Sequence, residues 1–592
     1  MRPDQDASVR AGRMSRRSVL RLAPAIAGAA ALPTAFFESA GLAAASKGPL
    51  GDIVFSHQVT GGEPEMARKV AEDLETLGLR VKLRPLSLQA WLDAMTQRTY
   101  GDITNRVKTP LPQRIADPES LLFETYHSSQ AQSPRYNFGN YKQPEFDKWY
   151  ELQAKEIDNR KRLDHIGKAA NVIAADYFDC FRGNGPSVMH VYNRDWTGGI
   201  GTAGYGLAGT AFNWTWPLIR SESGKRRVVV GQPSARAHTN PFAPDGWSYE
   251  GQYVFDRLAT LDQNLKIIPW ALESFTSKDA LTWDVVLRKG MKWHDGRPVT
   301  AEDLKWTFDF ILTHQLSFFA QVWDNVASAT VTDAAKGAVR IVCKQPYASF
   351  PAAVLVVTSL YPRHVIEPMM KEQGVSKPHE LRFEPKQVVG SGFFKLKRWT
   401  RDVEMVFEAN KDHWFAPKGI DELVWKVVRT VDAMMGQLQN REIDFAYMSF
   451  TPSQVKELLK SPHLAMKEHP TTAAPYYTFR IDQLPWRDIE FRKAFHWSID
   501  RAYQVQVMWE GAGRVVTEDT VFVPGHPFHT AVETKHGYDL QRARQILKDA
   551  GYTWDGSGRL AYPAEGDARF KKRVNDVVVQ YPGQKNLYAP VL

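Results

Sequence analysis

Two groups of residues have the types or the spacing that are found in enzyme active sites. Gly199, Gly201 and Gly204 follow a predicted strand with the G-x-G-x-x-G spacing of a dinucleotide-binding turn. His294 and Asp295 are adjacent, as the members of an acid–base pair could be. The residues around each group decide whether that chemistry is available.

Neither group has the surroundings that catalysis needs. No helical pattern follows the glycines, and no acidic residue closes a β-α-β unit about 20 residues further on, so a flexible or extended segment is favoured. No nucleophile accompanies His294, and residues 294–296 are typical of a turn because Asp-Gly supplies a positive φ. The sequence also contains no H-E-x-x-H, G-x-S-x-G or EF-hand motif. We therefore expect a protein that is not an enzyme and has no cofactor or metal; the alternative is an exported oxidoreductase that uses the glycine run.

The stretch over residues 271–312 is a scaffold element. Residues 282–287 predict a strand, and residues 291–293 predict a short second strand before the turn. Thr300 then caps a helix, with Asp303 as its capping-box partner. The helix carries an apolar stripe of Leu304, Phe308, Ile311 and Leu312.

The first 45 residues are predicted to be an export signal. A basic segment precedes a short apolar run over residues 22–37, and residues 43–45 form an A-x-A cleavage site. Residues 15–21 resemble the twin-arginine signal, which a receptor recognises. A membrane anchor is the alternative, but the run is short and contains prolines. We expect cleavage near Ala45 and a periplasmic protein.

Composition excludes some classes of partner. The formal net charge is +9, and removal of six arginines and three acidic residues with the signal leaves about 9 − 3 = +6. This excess is modest and forms no long basic run, so nucleic acid is not an expected partner. Cys180 and Cys343 could form a disulfide in an exported protein, or they could be two buried thiols. A chain of this length must in either case be held by an apolar core.

The pattern of elements favours an α/β protein of two or three packed parts. Residues 52–83 predict a β-α-β unit, and residues 145–156 and 160–176 predict helices. Residues 221–227 are polar and predict a linker, after which a new strand begins. A further helix is expected over residues 249–261.

From residue 228 onward, the chain resembles the family 5 extracytoplasmic solute-binding proteins of ABC importers, the peptide- and nickel-binding class. Seven motifs follow one another in the order of the family. They are residues 268–272 (IPWAL), 287–303 (LRKGMKWHDG followed by TAED), 390–394 (GSGFF), 410–414 (NKDHW), 442–444 (EID), 492–501 (RKA followed by IDR) and 543–552 (ARQILKDAGY). Phe393 departs from the family, which has proline there. The resemblance implies a two-lobed periplasmic-binding-protein fold (type II, large three-domain form) with mixed β-sheets, a hinge and an interlobe cleft.

The resemblance also implies a changed order of segments. Motifs that end the family's sequence lie here near the start, at residues 71–81, at Asp117-Pro118 and at residues 137–147. We expect a circular permutation in which residues 46–220 are the family's C-terminal third. The alternatives are a spurious fusion and two truncated neighbouring proteins.

This order predicts the domain boundaries. Residues 46–220 would supply the second lobe and a return to the first, and residues 221–227 would join the old ends. Residues 228–470 would form the first lobe with an extra subdomain. Residues 471–592 would complete the second lobe.

The family's function implies a monomer that binds a small or oligomeric solute in the cleft and delivers it to an inner-membrane ABC permease with its ATPase. The solute could be peptide-like, opine-like or oligosaccharide-like. A binding protein that serves a sensory receptor is an alternative. Carried over by motif, the implied ligand-binding residues are Asn240, Phe242, Ser391, Phe393, Tyr476, Tyr477, Arg480, Arg114 and Asp117.

Two arginines suggest an anionic or sugar-like solute. Peptide-binding relatives carry an aspartate three residues before Asp117, and this chain has Arg114 there. Arg480 replaces an asparagine that is common in the family. A guanidinium suits carboxylate or phosphate and not ammonium. The alternative is a misaligned loop in which both arginines face solvent.

Overall fold

The structure is a computed structural model that describes residues 48–576, apart from residues 60–61, 109–115, 132–134, 184, 186, 208–213, 235–237, 244–250, 317–319 and 525. The predicted export signal and Arg114 lie outside the described residues.

The strands, in chain order, are β1 (Asp52–Gln58), β2 (Arg80–Leu86), β3 (Ile103–Lys108), β4 (Asp179–Phe181), β5 (Val188–Asn193), β6 (Trp196–Thr197), β7 (Arg220–Ser221), β8 (Arg227–Gln232), β9 (Ala259–Leu261), β10 (Ile267–Pro269), β11 (Leu272–Ser277), β12 (Thr282–Leu287), β13 (Val326–Asp333), β14 (Ala338–Cys343), β15 (Phe394–Thr400), β16 (Glu404–Ala409), β17 (Glu422–Val427), β18 (Phe445–Ala446), β19 (Leu464–His469), β20 (Ala474–Phe479), β21 (Thr553–Trp554) and β22 (Leu560–Ala561).

The α-helices, also in chain order, are α1 (Glu63–Thr76), α2 (Leu88–Thr96), α3 (Glu119–Tyr126), α4 (Pro144–Lys155), α5 (Asn159–Ala175), α6 (Gly251–Val254), α7 (Ala301–His314), α8 (Ala320–Asn325), α9 (Arg363–Gln373), α10 (Val431–Gln439), α11 (Pro452–Leu458), α12 (Ile489–Trp497), α13 (Arg501–Trp509), α14 (Leu540–Asp549) and α15 (Ala568–Asp576). A π-helical turn covers Pro351–Leu355, and short 3-10 turns cover Ser128–Gln130, Pro378–Glu380 and Pro385–Gln387.

The helix and the strand β12 of the scaffold element form as predicted, but the strand predicted at residues 291–293 does not, since only an isolated bridge joins Lys292 to Pro298. The backbone N–H of Asp303 donates to Thr300 Oγ1, and the Asp303 carboxylate accepts from the Thr300 N–H, so the capping box is complete. The strand predicted at residues 282–287 is β12. The prediction of a helix over residues 249–261 is wrong. Only Gly251–Val254 is helical, and Ala259–Leu261 pairs with Ile267–Pro269 as an antiparallel strand.

A five-stranded sheet, in the order β2-β1-β3-β20-β4, organises one lobe. β1 is parallel to β2 and β3, whereas β20 is antiparallel to β3 and β4. β20 is buried along its whole length because it lies inside the sheet and under helices such as α12. We call this part the five-stranded lobe.

A seven-stranded sheet, in the order β15-β16-β17-β8-β18-β5-β19, organises the other lobe, which we call the seven-stranded lobe. β8 lies between β17 and β18 and is parallel to both. A four-stranded antiparallel sheet, β11-β12-β14-β13, adds to this lobe through α7 and a continuous apolar core.

The lobes share the chain in an interleaved order. β1 to β4 and β20 form one sheet, although almost 300 residues separate β4 from β20. Within the described residues, the chain crosses between the lobes twice: between Phe181 and Val188, and over residues 470–473 between β19 and β20. Each lobe has its own large apolar core. The predicted α/β fold with two lobes and mixed sheets is confirmed.

Candidate functional site

Two of the predicted binding loops leave the carboxyl ends of parallel strands. β3 ends at Lys108 and leads to the loop that contains Arg114 and Asp117. β8 ends at Gln232 and leads to the loop that contains Asn240. In open α/β sheets, ligands bind outside such strand ends. The carboxyl ends of β3 and β8 are therefore places where a binding site is expected.

Asn240 and Phe242 stabilise their own loop. Asn240 Nδ2 donates to the carbonyl oxygens of Pro378 and Leu381, both at 2.9 Å, and Asn240 Oδ1 accepts from the Phe242 N–H at 2.8 Å. The Phe242 ring is buried against Tyr361, with ring centroids 4.8 Å apart. Most of the hydrogen-bonding capacity of the Asn240 amide is thus used within the protein.

Ser391 and Phe393 flank Gly392, which packs against the turn at His294. Gly390 N–H donates to His294 Nδ1 at 3.2 Å, so the ring proton lies on Nε2, which donates to the Gly392 carbonyl at 3.0 Å. Burial lowers the pKa of His294 to about 4, which keeps the ring neutral at pH 7. The His294-Asp295 pair therefore has a structural role, in agreement with the sequence.

A pocket opens beside this turn. Its empty volume is about 510 Å³, part of it open to solvent, and Ser391, His294, Lys395 and the exposed Trp414 are among its lining residues. Phe393 is fully buried behind it, next to Trp270 and His413. Of these two predicted residues, Ser391 is the one that lines the pocket, although it is buried and its Oγ accepts from the Asp256 N–H at 3.3 Å.

Tyr476 and Tyr477 point to opposite faces of β20, as neighbouring strand residues must. The Tyr477 ring packs edge-on against Phe55 in the core, and its hydroxyl accepts from Gln504 Nε2 at 3.0 Å. Tyr476 lines a small cavity of about 10 Å³, room for about one water molecule, together with Asp179 and Asp519. The guanidinium of Arg106 lies 5.6 Å from the Tyr476 ring. Tyr476 is therefore the member of this pair that borders a pocket.

Arg480 is engaged by a neighbour in the sequence. Its Nε and Nη2 donate to the two carboxylate oxygens of Asp482 at 2.8 and 2.7 Å, and its Nη1 donates to the Arg98 carbonyl. Such a bidentate pair neutralises the guanidinium charge. The sequence reasoning that assigned Arg480 to an anionic solute did not weigh Asp482.

Asp117 forms a buried network that joins the two lobes. Its carboxylate accepts from Arg162 Nη1 and Nη2, from the Glu119 N–H and from Ser349 Oγ, the last at 2.8 Å. Ser349 belongs to the seven-stranded lobe, whereas Arg162 lies on α5 of the five-stranded lobe. A carboxylate has about four acceptor sites, so these four bonds saturate it. Asp117 thus fixes its loop against both lobes.

Sequence reasoning missed Glu119, Arg162 and Ser349. Burial, followed by the nearby charge of Asp117, raises the pKa of Glu119 to about 7, and the Tyr150 hydroxyl donates to its carboxyl group at 3.0 Å. The signal in the sequence was a charged residue, Arg162, on the apolar face of the first turn of α5. Its partner Ser349 lies 187 residues away, which no local pattern indicates.

A cluster in the five-stranded lobe has donor atoms that a metal could use. Cys180, His496 and Asp519 are buried with their donor atoms within 4.8 Å of one another. However, Arg501 Nη2 donates to Cys180 Sγ at 3.2 Å and lies 3.8 Å from Asp519, so a cation already occupies the cluster. Burial raises the pKa of the Cys180 thiol, which opposes the thiolate that a metal needs. Both Cys180 and Cys343 are free and buried.

The predicted residues are distributed over separate places. Within the part of the chain that the structure describes, Ser391 and Tyr476 line different pockets, while Asn240, Asp117 and Arg480 are hydrogen-bonded to the protein itself. Also among the described residues, no helix is both long and apolar enough to span a bilayer.

Comparison with known proteins gives a family match. Residues 266–584, more than half of the chain, match the model of the "bacterial extracellular solute-binding proteins, family 5 Middle". A Brucella ovis protein named as an ABC transporter peptide-binding protein is 29% identical over 329 residues, which are 55% of this chain and 60% of that protein. The glutathione-binding protein GsiB of Salmonella typhi is 27% identical over 304 residues, 50% of this chain and 56% of GsiB.

These matches are partial. The chain spans about six tenths of the length of the curated relatives it matches. Among solved structures, the oligopeptide-binding protein AppA of Bacillus subtilis, in complex with a nonapeptide, matches with a TM-score of 0.42 at 22% identity, over 57% of this chain and 67% of AppA. The relatives are solute-binding proteins and not enzymes, which fits the expected absence of catalysis.

Proposed function

Since the chain belongs to the bacterial extracellular solute-binding proteins of family 5, we propose that it captures a small solute between its two lobes and delivers it to an ABC import permease with its ATPase. The match over residues 266–584 is the observation that carries this proposal. Two lobes connected by two short crossings suit hinge closure around a solute. A monomer is sufficient for this role.

A peptide-like solute has the best support. Relatives named for binding peptides and glutathione point to this class. An anionic solute now depends on Arg114, because Asp482 neutralises Arg480. Opine-like and oligosaccharide-like solutes are the other outcomes of the binding test.

The proposed binding residues divide into those that would touch the solute, those that would position the binding loops and those that would lie behind them. Tyr476 and Ser391 line pockets, and the Arg114 loop leaves the carboxyl end of β3. Asn240 and Asp117 would position the loops that carry these contacts, since their polar groups bind the protein itself. Phe242, Phe393, Tyr477 and Arg480 would support them from behind.

Isothermal titration calorimetry on the mature protein tests the proposal. After release of co-purified solute by partial unfolding and refolding, glutathione, tripeptides, an oligosaccharide and a nickel–histidine complex are titrated separately. We expect micromolar binding of glutathione or tripeptides, weakened at least about tenfold by Tyr476→Ala. Tyr538→Ala, which truncates an exposed tyrosine on the same lobe, is the control. Absence of binding by all four probes would contradict the proposal.

We further propose that the chain is circularly permuted within this family. Residues 46–220 would be the displaced C-terminal third and residues 221–227 the join, with residues 228–470 as the first lobe and 471–592 completing the second. Shared sheets support this, since β20 pairs with strands from the start of the chain. Leu50 N–H also donates to the Leu560 carbonyl at 2.8 Å, so the two end regions are adjacent.

A reordered chain tests the permutation. Residues 46–220 are moved behind residue 592 and the protein begins at residue 228. We expect the same far-ultraviolet circular dichroism and the same solute affinity. A reordered chain that stays unfolded, beside a wild type that folds under the same conditions, would overturn the permutation.

Export through the twin-arginine pathway is also proposed. The support is the resemblance of residues 15–21 to that signal, together with the extracytoplasmic location of the family. Replacement of Arg16 and Arg17 by lysine is expected to retain the full-length precursor in the cytoplasm of cells that have this pathway. Normal appearance of the processed protein outside the cytoplasm would contradict it.

A further inference from the structure

The glycine-rich segment singled out by the sequence lies against one of the two crossings between the lobes. We call residues 198–207 the glycine strap. Its tip is a tight turn in which the N–H groups of Thr202 and Gly206 each donate to the other's carbonyl, at 3.1 and 2.8 Å. This turn packs over β5, the strand that follows the first crossing, and β19, the strand that leads into the second.

The glycines are needed because two histidines fill the space where side chains would be. A Cβ atom at Gly201 would overlap Nε2 of His469, the last residue of β19. A Cβ atom at Gly206 would lie 2.5 Å from Nδ1 of His190 on β5, closer than real Cβ contacts allow. The G-x-G-x-x-G spacing is thus explained by close packing at Gly199 and Gly201 and by the positive φ of 78° at Gly204, and not by a phosphate group.

Hydrogen bonds join the strap to the start of the crossing over residues 470–473. Gly204 N–H donates to the Pro470 carbonyl at 2.7 Å, and Lys467 Nζ donates to the Gly199 carbonyl at 3.3 Å. Leu207 N–H donates to His190 Nδ1 at 2.9 Å. The strap therefore contacts β5, β19 and the first residue after β19.

The other side of the strap is fixed in the seven-stranded lobe. Thr215 Oγ1 donates to the carbonyl oxygens of Leu207 at 2.6 Å and Ile200 at 3.2 Å. Tyr205 and Leu207 are buried in the large core of that lobe, with Trp216. One side of the strap is therefore held by the core of the seven-stranded lobe, and the other side is hydrogen-bonded to the crossing.

We propose that the glycine strap holds Pro470 on the seven-stranded lobe and so confines hinge bending in this crossing to residues 471–473. His190 and His469 are its positioning residues. This inference deepens the proposed function, because a hinge matters only if the lobes close on a solute. A loosened strap lets the hinge bend at more residues, so the unliganded protein populates more open arrangements and closure costs more free energy.

Hydrogen–deuterium exchange on the full mature protein, without solute, tests the strap directly. Gly201→Ala introduces the overlap with His469. Gly566→Ala is the matched control, because nothing lies within 4 Å of a Cβ atom there. We expect roughly tenfold faster exchange over residues 464–473 in Gly201→Ala and no change in the control. Small-angle X-ray scattering should show a larger radius of gyration only for Gly201→Ala.

A second variant covers the case in which Gly201→Ala fails to fold. Thr215→Val keeps the side-chain shape but removes the two hydrogen bonds that fix the strap. It should also speed exchange over residues 464–473, by a smaller factor. Glutathione serves as the probe for affinity, which should fall roughly threefold or more in either variant.

The outcomes separate this inference from the proposed function. Faster exchange confined to residues 198–207, with residues 464–473 unchanged, would overturn the role of the strap. If the wild type binds no probe solute, the proposed function fails, yet exchange and scattering still decide whether the strap restrains the hinge.

Discussion

Two of the contacts that join the lobes away from the crossings differ in almost every physical respect. The first is the buried network of Asp117, Arg162 and Ser349, in which ionised groups are almost fully removed from water. The second is the exposed pair of Glu510 and Ser453, where the carboxylate accepts from the Ser453 N–H and hydroxyl, both at 2.9 Å. Glu510 belongs to the five-stranded lobe, and Ser453 lies on α11 of the seven-stranded lobe.

The difference shows how one protein can combine a stable interface with a reversible one. A buried charge without its partner is costly, so the buried network favours a single arrangement. An exposed carboxylate exchanges its partner for water at little cost. We therefore expect the buried network to determine stability, and the exposed pair to affect only how often the lobes separate.

Removal of Arg162 should have the largest effect. Arg162→Met keeps much of the side-chain volume but leaves the Asp117 carboxylate buried without a cation. Such a change costs about 3–5 kcal/mol of unfolding free energy. Denaturant titration measures this loss. Arg160→Met, an exposed position on the same helix, should stay within about 0.5 kcal/mol of the wild type, and equal values for both variants would contradict the role of the network.

Glu119 should make the stability that the buried network provides fall as pH rises from about 4.5 to 7. Because its pKa in the folded state is about 7, against an ordinary value of 4.5, the folded state keeps a proton that the unfolded chain loses. The contribution of protonated Glu119 to the unfolding free energy is full below pH 4.5. This contribution, about 3 kcal/mol in total, is lost as pH rises through 7. Glu119→Gln cannot ionise. The difference in unfolding free energy between variant and wild type should therefore change between pH 5 and pH 8, and a constant difference would exclude this effect.

The same substitution, serine to alanine, can be made in both contacts between the lobes, at Ser349 in the buried network and at Ser453 in the exposed pair. Ser349→Ala is expected to have the larger effect. It removes the hydroxyl that donates to Asp117 and accepts from Arg162 Nη2 at 2.7 Å, which should cost about 1–3 kcal/mol. Ser453→Ala removes the corresponding hydroxyl of the exposed contact and should change the unfolding free energy much less. If both alanine variants lose the same stability, burial does not distinguish the two contacts.

Local elements were the part of the fold that the sequence predicts well. The α7 helix, its Thr300 cap and strand β12 depend on residues close together in the chain, so pattern and capping chemistry suffice. The helix predicted over residues 249–261 failed because tertiary contacts hold that segment extended. Asp256, for example, is buried between Trp270 and His413, with Trp270 Nε1 donating to it at 2.8 Å.

The candidate site was less predictable, for a physical reason. Motif positions indicate which loops approach a cleft, but they do not show which polar groups are already satisfied. Asn240, Asp117 and Arg480 use their hydrogen bonds on partners that only the folded structure brings close, such as Leu381 and Ser349. Tyr476 and Tyr477 differ in role solely because β20 turns one of them toward the core.

Glu510→Gln should have the smallest effect on stability of the four substitutions proposed in this comparison. The stability that Glu510 provides rises with pH, whereas the stability that Glu119 provides falls with pH. The amide and hydroxyl of Ser453 hold the pKa of Glu510 below its ordinary value, so this contact is complete above pH 4.5 and weakens as pH falls through the lowered pKa. Because the group is exposed, Glu510→Gln should leave the denaturation midpoint at pH 7 unchanged within error. It should, however, raise the rate of hydrogen exchange at the start of α11, where the Ser453 N–H loses a charged acceptor.

Lys460→Gln, at an exposed position in the same region, provides the control. A clear loss of global stability in Glu510→Gln would show that the exposed contact contributes as the buried one does.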